Sequence, residues 1–315
     1  MKKTAVLALG GNAIIKAGQK GTISEQFANT QDSLDGIVEL IRQGYRLSIT
    51  HGNGPQVGNL LRQQETGEKE GLASLPLGVL NAATEGTMGY MIEQSLQNKL
   101  REQGIDKQVI TIVSQVVVDK NDPSLKDPSK FVGSTYYSAE EAQELKESLG
   151  WALKEDSGKG WRRVVPSPLP IEIIAASTIN ELVHKGQIVI AVGGGGIPVY
   201  RRENGHLEGL DAVIDKDFAS ALLALNIQAD LFVILTGVDK VALNYGKPDA
   251  QDLDTMTVAE AQKYYNEGHF PAGSMGPKIR AAIDFISRGG SEVLITSLPR
   301  IVEAFAGKTG TRIVR

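Results

Sequence analysis

Residues 188–200 read IVIAVGGGGIPVY. Ile188 to Val192 form an apolar, β-branched run without a turn signal, the pattern of a buried strand. Gly193 to Gly196 follow without a break. A strand that runs into glycines lets backbone approach an anion at the strand's carboxyl end, as at the ligand crevice of an open α/β sheet. Two further strands end alike. Thr4 to Leu9 runs into Gly10-Gly11-Asn12, and Leu47 to Thr50 into His51-Gly52-Asn53-Gly54-Pro55. Together they predict one rim of exposed N–H groups suited to phosphate, with Gly194 and Gly195 among them.

The rest of the chain alternates in the same way. A helix is expected over 25–42, with Leu34, Ile37, Val38 and Ile41 on one face. Further helices are expected from Pro55 onward and over 77–101, 177–184, 217–225, 258–266 and 278–287. Further strands are expected over 108–118, 231–235, 293–296 and 312–314. Residues 199–209 form a hairpin turning at Asn204-Gly205. Strands alternating with helices indicate an α/β fold with a mostly parallel sheet and helices on both faces.

Residues 119–163 break the alternation. They are rich in charge, proline and glycine, carry both tryptophans and contain a helical piece over 139–149. Disordered linkers rarely hold aromatics, so this is read as an inserted subdomain with a core of its own, within a single domain of residues 1–315.

Composition narrows the function classes. Hydrophobic residues make up 41% of 315 and charged residues 22%, an ordinary globular balance. The net charge of -4 and the lack of a basic stripe argue against nucleic acid as the main ligand. With no cysteine, disulfides, Cys-zinc sites and thiol nucleophiles are excluded. The opening MKKTAVLALGG imitates a secretory leader, but its apolar run stops at Gly10, so it is read as a first strand. No apolar run is long enough for a membrane span, and a cytoplasmic location is expected.

Several residues could carry chemistry. Neither a GxGxxG fingerprint nor a Walker A motif is present. His51 reads as a packed histidine or, less simply, as a general base. Lys216 lies between Asp215 and Asp217, either as a solvated lysine or facing a phosphate; one of the two carboxylates is expected to cap the helix that begins there. Lys278 follows Gly273-Ser274-Met275-Gly276-Pro277 in a helix's first turn, an unfavourable place for a cation unless polyphosphate lies between. Lys130, in DPSKFVG, is a further candidate. No carboxylate or histidine cluster has the spacing of a protein metal site, and Mg2+ carried on nucleotide phosphates needs none.

The runs LALGGNA, THGNGPQVG, VVPSPLPIEI, GGGGIPV, DAVIDKDFA, ILTGVDKVAL and GHFPAGSMGPKIRAAI, in this order, resemble the carbamate kinases of the amino acid kinase family. The resemblance spans nearly the whole chain. It implies a three-layer αβα sandwich with about eight mainly parallel strands, a protruding subdomain at 119–163 and a homodimer. It implies transfer between MgATP and carbamate, giving MgADP and carbamoyl phosphate, run toward ATP in arginine catabolism. Gly10, Gly11, Asn12, Gly52, Asn53 and Gly54 then match the loops around carbamoyl phosphate. Lys216 and Lys278 match lysines that neutralise the transferring group, Asp215 an organiser of lysines, and Lys130 the lysine brought in by the subdomain. Thr236, Gly237, Val238, Tyr245 and Met275 match the nucleotide side, with Gly273 beside them.

Two departures stand out. Thr84-Glu85-Gly86 occupies a place where the family usually has Ser or Thr followed by Gln-Gly. Lys130 is followed by Phe131-Val132-Gly133-Ser134-Thr135 where Pro and then Gly-Pro-Phe are common. Glu85 is expected to be paired with a lysine or turned away from an anionic substrate. With the subdomain open, Lys130 is expected far from Lys216. Competing readings are a related kinase acting on acetylglutamate, a Rossmann oxidoreductase and a non-catalytic nucleotide sensor.

Overall fold

The computed structural model describes residues 2–10, 14, 19–133, 135–156, 158–271 and 273–315. Its centre is an eight-stranded sheet. In chain order the strands are β1 (Thr4–Leu9), β2 (Arg46–His51), β3 (Val109–Ile112), β4 (Ile188–Ala191), β5 (Leu231–Thr236), β6 (Thr255–Thr257), β7 (Val293–Ser297) and β8 (Thr311–Val314). Their spatial order is β6-β8-β7-β5-β1-β2-β4-β3. Neighbours run parallel except β7 and β8, which pair antiparallel.

Side-chain alternation gives this sheet two buried faces, so its strands read as continuous apolar runs. Val6, Ala8, Val189, Phe232, Ile234 and Ile295 pack on one side with residues of helices Ala176–His184, Lys216–Asn226, Val258–Asn266 and Met275–Ser287. Phe232 and Phe285 meet there edge to face at 5.6 Å. Leu7, Leu9, Leu47, Ile49, Ile190 and Val233 pack on the other side with Asp35–Arg42 and Leu77–Glu102. Each fully buried leucine or phenylalanine contributes about 2 kcal/mol by area. The expected three-layer αβα sandwich is therefore observed.

Two expected elements divide. The helix over 25–42 is two, Ile23–Ser33 and Asp35–Arg42, meeting at Leu34. The first opens with a capping box between Thr22 and Glu25. The strand over 108–118 is also two. Val109–Ile112 stays in the main sheet, while Gln115–Val118 enters a four-stranded sheet with Ile197–Arg201, Leu207–Gly209 and Pro170–Ile173. Ser114, at the break, is fully buried.

In the inserted segment, Lys130–Phe131, Leu153–Glu155 and Trp161–Val165 form a small antiparallel sheet beside helix Ala139–Leu149. Tyr137 packs edge-on to Trp151 at 6.1 Å, with the Arg163 guanidinium 4.3 Å over the Trp151 ring. Within the segment Ala142 and Leu153 are buried, while Val132 clusters with Val57, Leu77, Leu80, Val165 and Val213 of the main body.

Candidate active site

β5, β1, β2 and β4 are consecutive neighbours and all parallel, so their carboxyl ends share one rim. Gly10 follows β1, Gly52 to Gly54 follow β2, Gly193 to Gly196 follow β4 by way of Val192, and Gly237 follows β5. This is the ligand crevice of an open parallel sheet. Gly11 and Asn12 lie outside the described residues.

The glycines after β4 differ from the expected row of bare donors. The N–H groups of Gly195 and Gly196 bond the carbonyls of Val192 and Gly193 at 3.1 and 3.0 Å, and Gly52 N–H bonds Leu9 O at 3.1 Å. Glycine is required here by its neighbours. A Cβ on Gly193 would lie 2.3 Å from His51 Nε2, one on Gly194 2.3 Å from Asn53 Nδ2, and one on Gly195 2.3 Å from Ile214 O. Asn53 in turn donates to Asn81 Oδ1 at 2.8 Å and Thr84 Oγ1 at 2.9 Å, on helix Leu77–Glu102. It stands at the start of helix Gly54–Lys69, where free N–H groups favour an anion.

His51 is 1% exposed. Burial lowers its pKa to about 4. A neutral ring packed against Gly193 is the histidine of the packed reading.

The three lysines converge on two carboxylates. Asp215 caps helix Lys216–Asn226, its Oδ1 accepting the Asp217 N–H at 2.9 Å, and its Oδ2 accepts from Lys130 Nζ at 2.8 Å. Asp217, with its side chain 3% exposed, accepts from Lys216 and, at 3.1 Å, from Lys278. Burial alone would raise both carboxyls. Lys130 outweighs it at Asp215, and Lys216 with Lys278 outweighs it further at Asp217, so both stay below the ordinary carboxylate range. Burial lowers Lys216 despite Asp217, whereas Asp217 overcomes burial at Lys278 and raises it. Lys278 lies in the first turn of helix Met275–Ser287, where the helix dipole opposes a cation. Asp217 offsets that cost. The sequence placed Asp217 only beside Lys216. Its bond to Lys278, 61 positions away, is tertiary.

A cavity of 930 Å³ opens beside this cluster. Gly10, Lys216, Thr236, Gly237, Val238, Tyr245, Gly273, Met275 and Lys278 line it, which brings together every residue placed on the nucleotide side by resemblance. Ser33, Asp239, Ser297 and Arg300 also line it and were missed. Asp239 adjoins Val238 in the quoted run and accepts from Ser297 Oγ. The available signal for Ser297 was that β7 also ends at this rim. Among the described residues no cluster of three or more histidine, aspartate or glutamate side chains could hold a metal.

The inserted segment reaches the rim from the other side. Gly133 N–H donates to Gly54 O at 3.0 Å, and Arg62 to Thr135 Oγ1 at 3.0 Å. Arg163 pairs with Glu65. A Cβ on Gly58 would lie 2.1 Å from Gly133 Cα, so the two backbones touch. This seat brings Lys130 onto Asp215, next to Lys216. The separation expected for an open subdomain is not the arrangement in this structure.

The sequence model of the amino acid kinase family matches residues 3–297. The carbamate kinase of Thermococcus kodakarensis is 53% identical over 315 residues, covering 99% of both chains. That of Pyrococcus furiosus is 50% identical over 315 residues, with 100% of both covered. The structure of a carbamate kinase from Giardia lamblia bound to AMP-PNP superposes with a TM-score of 0.90 at 41% identity, covering 99% of this chain and 98% of that one.

Proposed function

The chain belongs to the amino acid kinase family and, within it, to the carbamate kinases, and we propose that it moves a phosphoryl group reversibly between ATP and carbamate. In the ATP-forming direction the bond between carbamoyl oxygen and phosphorus breaks. A new one forms to the terminal oxygen of ADP, and carbamate leaves as the anion. We propose that direction, in arginine and carbamoyl phosphate catabolism, on the strength of the resemblance. A cytoplasmic homodimer is proposed on the same ground. Among the described residues no helix is long and apolar enough to cross a membrane.

The observation that carries the reading is Asp217 bonded to both Lys216 and Lys278, two lysines that line the 930 Å³ cavity. Phosphoryl transfer asks a protein for in-line positioning and charge neutralisation, with little covalent work. Three lysines against two carboxylates leave surplus positive charge for the phosphoryl group. Lys278, on the wall shared with Thr236, Gly237, Val238, Tyr245, Gly273 and Met275, faces the nucleotide phosphates. That the similar Giardia lamblia carbamate kinase is bound to AMP-PNP supports an adenine nucleotide as one ligand. Lys216 stands between the substrates. Lys130 and the start of helix Gly54–Lys69, with Gly10, Gly11, Asn12, Gly52, Asn53 and Gly194, receive carbamoyl phosphate, while Gly195 shapes their turn. Mg2+ would arrive on the nucleotide phosphates. When bound it would neutralise phosphate charge.

Carbamate is already a nucleophilic anion, so the reverse reaction needs no general base. That agrees with a His51 that is buried and neutral. The test is purified protein with MgADP and either carbamoyl phosphate or acetylglutamyl phosphate. ATP should form from the first alone. ATP from the second alone would assign the chain to another branch of the family.

A further inference from the structure

The structure buries Glu85 without a lysine partner and bonds it to the backbone of Ser114. Glu85 is 1% exposed. Its Oε2 accepts the Ser114 N–H at 2.8 Å. Its Oε1 is buried without a hydrogen-bond partner. Burial pushes the carboxyl well above its ordinary range, opposed only by that N–H. Burial without a neighbouring cation disfavours its charged form.

Ser114 is the hinge pin of the turn after β4. Its Oγ accepts the Val192 N–H at 2.9 Å and donates to Ile112 O at 2.8 Å. Its carbonyl accepts the Ile197 N–H at 2.8 Å. Both ends of the turn therefore hang on one residue. The turn needs that support, because Val192 sits at φ 56° and ψ 34°, a left-handed conformation unfavourable for a β-branched side chain. Within the turn, Gly194 lies against the Asn53 amide. Asn53 is bonded in turn to Asn81 and to Thr84, the residue before Glu85. One helix thus fixes Asn53 twice, directly and through Glu85, Ser114 and the turn.

We propose that Glu85 is a positioning residue: by fixing Ser114 it holds the turn 192–197, and through it Asn53, in the arrangement that receives carbamoyl phosphate. This rests on the carbamate kinase reading above. A glutamine carboxamide oxygen can accept the Ser114 N–H in the place of Oε2, so Glu85→Gln should keep the bond that holds Ser114.

The test compares wild type with Glu85→Gln, Glu85→Ala and Ser114→Ala, measuring KM for carbamoyl phosphate and for ADP separately. Glu85→Ala and Ser114→Ala should raise the carbamoyl phosphate KM by about tenfold or more and move the ADP KM by less than about twofold, with Glu85→Gln near wild type. Equal rises in both constants, failure of Glu85→Gln to rescue, or an unchanged carbamoyl phosphate KM in Ser114→Ala would overturn the proposal. Should Glu85→Ala not fold, Glu85→Gln and Ser114→Ala still decide it. A wild type that makes no ATP from carbamoyl phosphate overturns the functional reading and this inference together. An active wild type with unaffected variants overturns this inference alone.

Discussion

Lys130 Nζ lies 2.8 Å from Asp215 Oδ2, which ties the inserted segment to the cap of the helix that carries Lys216. On the proposed reading Lys130 serves carbamoyl phosphate, whereas the lysine is not among the residues lining the 930 Å³ cavity proposed for the nucleotide. Lys130→Ala should therefore weaken carbamoyl phosphate use by about 10²-fold or more and change ADP affinity by less than about threefold. Steady-state kinetics with a separate ADP titration checks this. Equal losses on both sides would show that Lys130 serves the whole site.

Gly58 offers a test of the seat itself. A Cβ there would meet Gly133 Cα at 2.1 Å, backbone that cannot step aside cheaply. Gly58→Ala should lift the segment from helix Gly54–Lys69. Proteolysis within 119–163 should become faster, and the KM for carbamoyl phosphate should rise more than that for ADP. Unchanged cleavage and kinetics would mean that the contact holds nothing in place.

Asp217 pairs with two lysines while almost fully buried, so losing its charge leaves both uncompensated. Asp217→Asn should destabilise the fold by about 3 kcal/mol, the usual cost of breaking a buried ion pair from one side. Lys278→Ala should lower turnover by about 10²–10⁴ with the fold intact. Urea unfolding and turnover measured on the same samples separate the two effects. Wild-type turnover in folded Lys278→Ala would remove that lysine from the transfer step.

His51 carries a pH signature. Folding favours its neutral ring, so its contribution is complete above the unfolded value near 6.5 and is lost as pH falls toward about 4. The whole effect is about 3 kcal/mol. An NMR titration of the imidazole should show it neutral until about pH 4. A midpoint near 6.5 would contradict the packed reading.

Much of this site was legible because its parts are local. Helices Ala139–Leu149 and Val258–Asn266 have the bounds their periodicity predicts, and the glycine junctions of β1, β2 and β4 do share a rim. What stayed hidden is tertiary. The run 108–118 is mostly apolar and β-branched, without glycine or proline, and it breaks at Ser114, whose N–H is held by Glu85 and whose side chain bonds Ile112 and Val192. The glycines after β4 looked like open donors, yet His51, Asn53 and Ile214 occupy the space that side chains would need. Asp215 was expected to organise the lysines. It holds Lys130, and Asp217 holds the other two.

The central claim is phosphoryl transfer from carbamoyl phosphate to ADP. Its most direct measurement follows purified wild-type protein with carbamoyl phosphate and MgADP by 31P NMR. The account predicts that the carbamoyl phosphate resonance falls as the γ-phosphate resonance of ATP rises in step, with the reverse on adding ATP and carbamate. Loss of carbamoyl phosphate to inorganic phosphate alone, at the same rate with and without ADP, would contradict it.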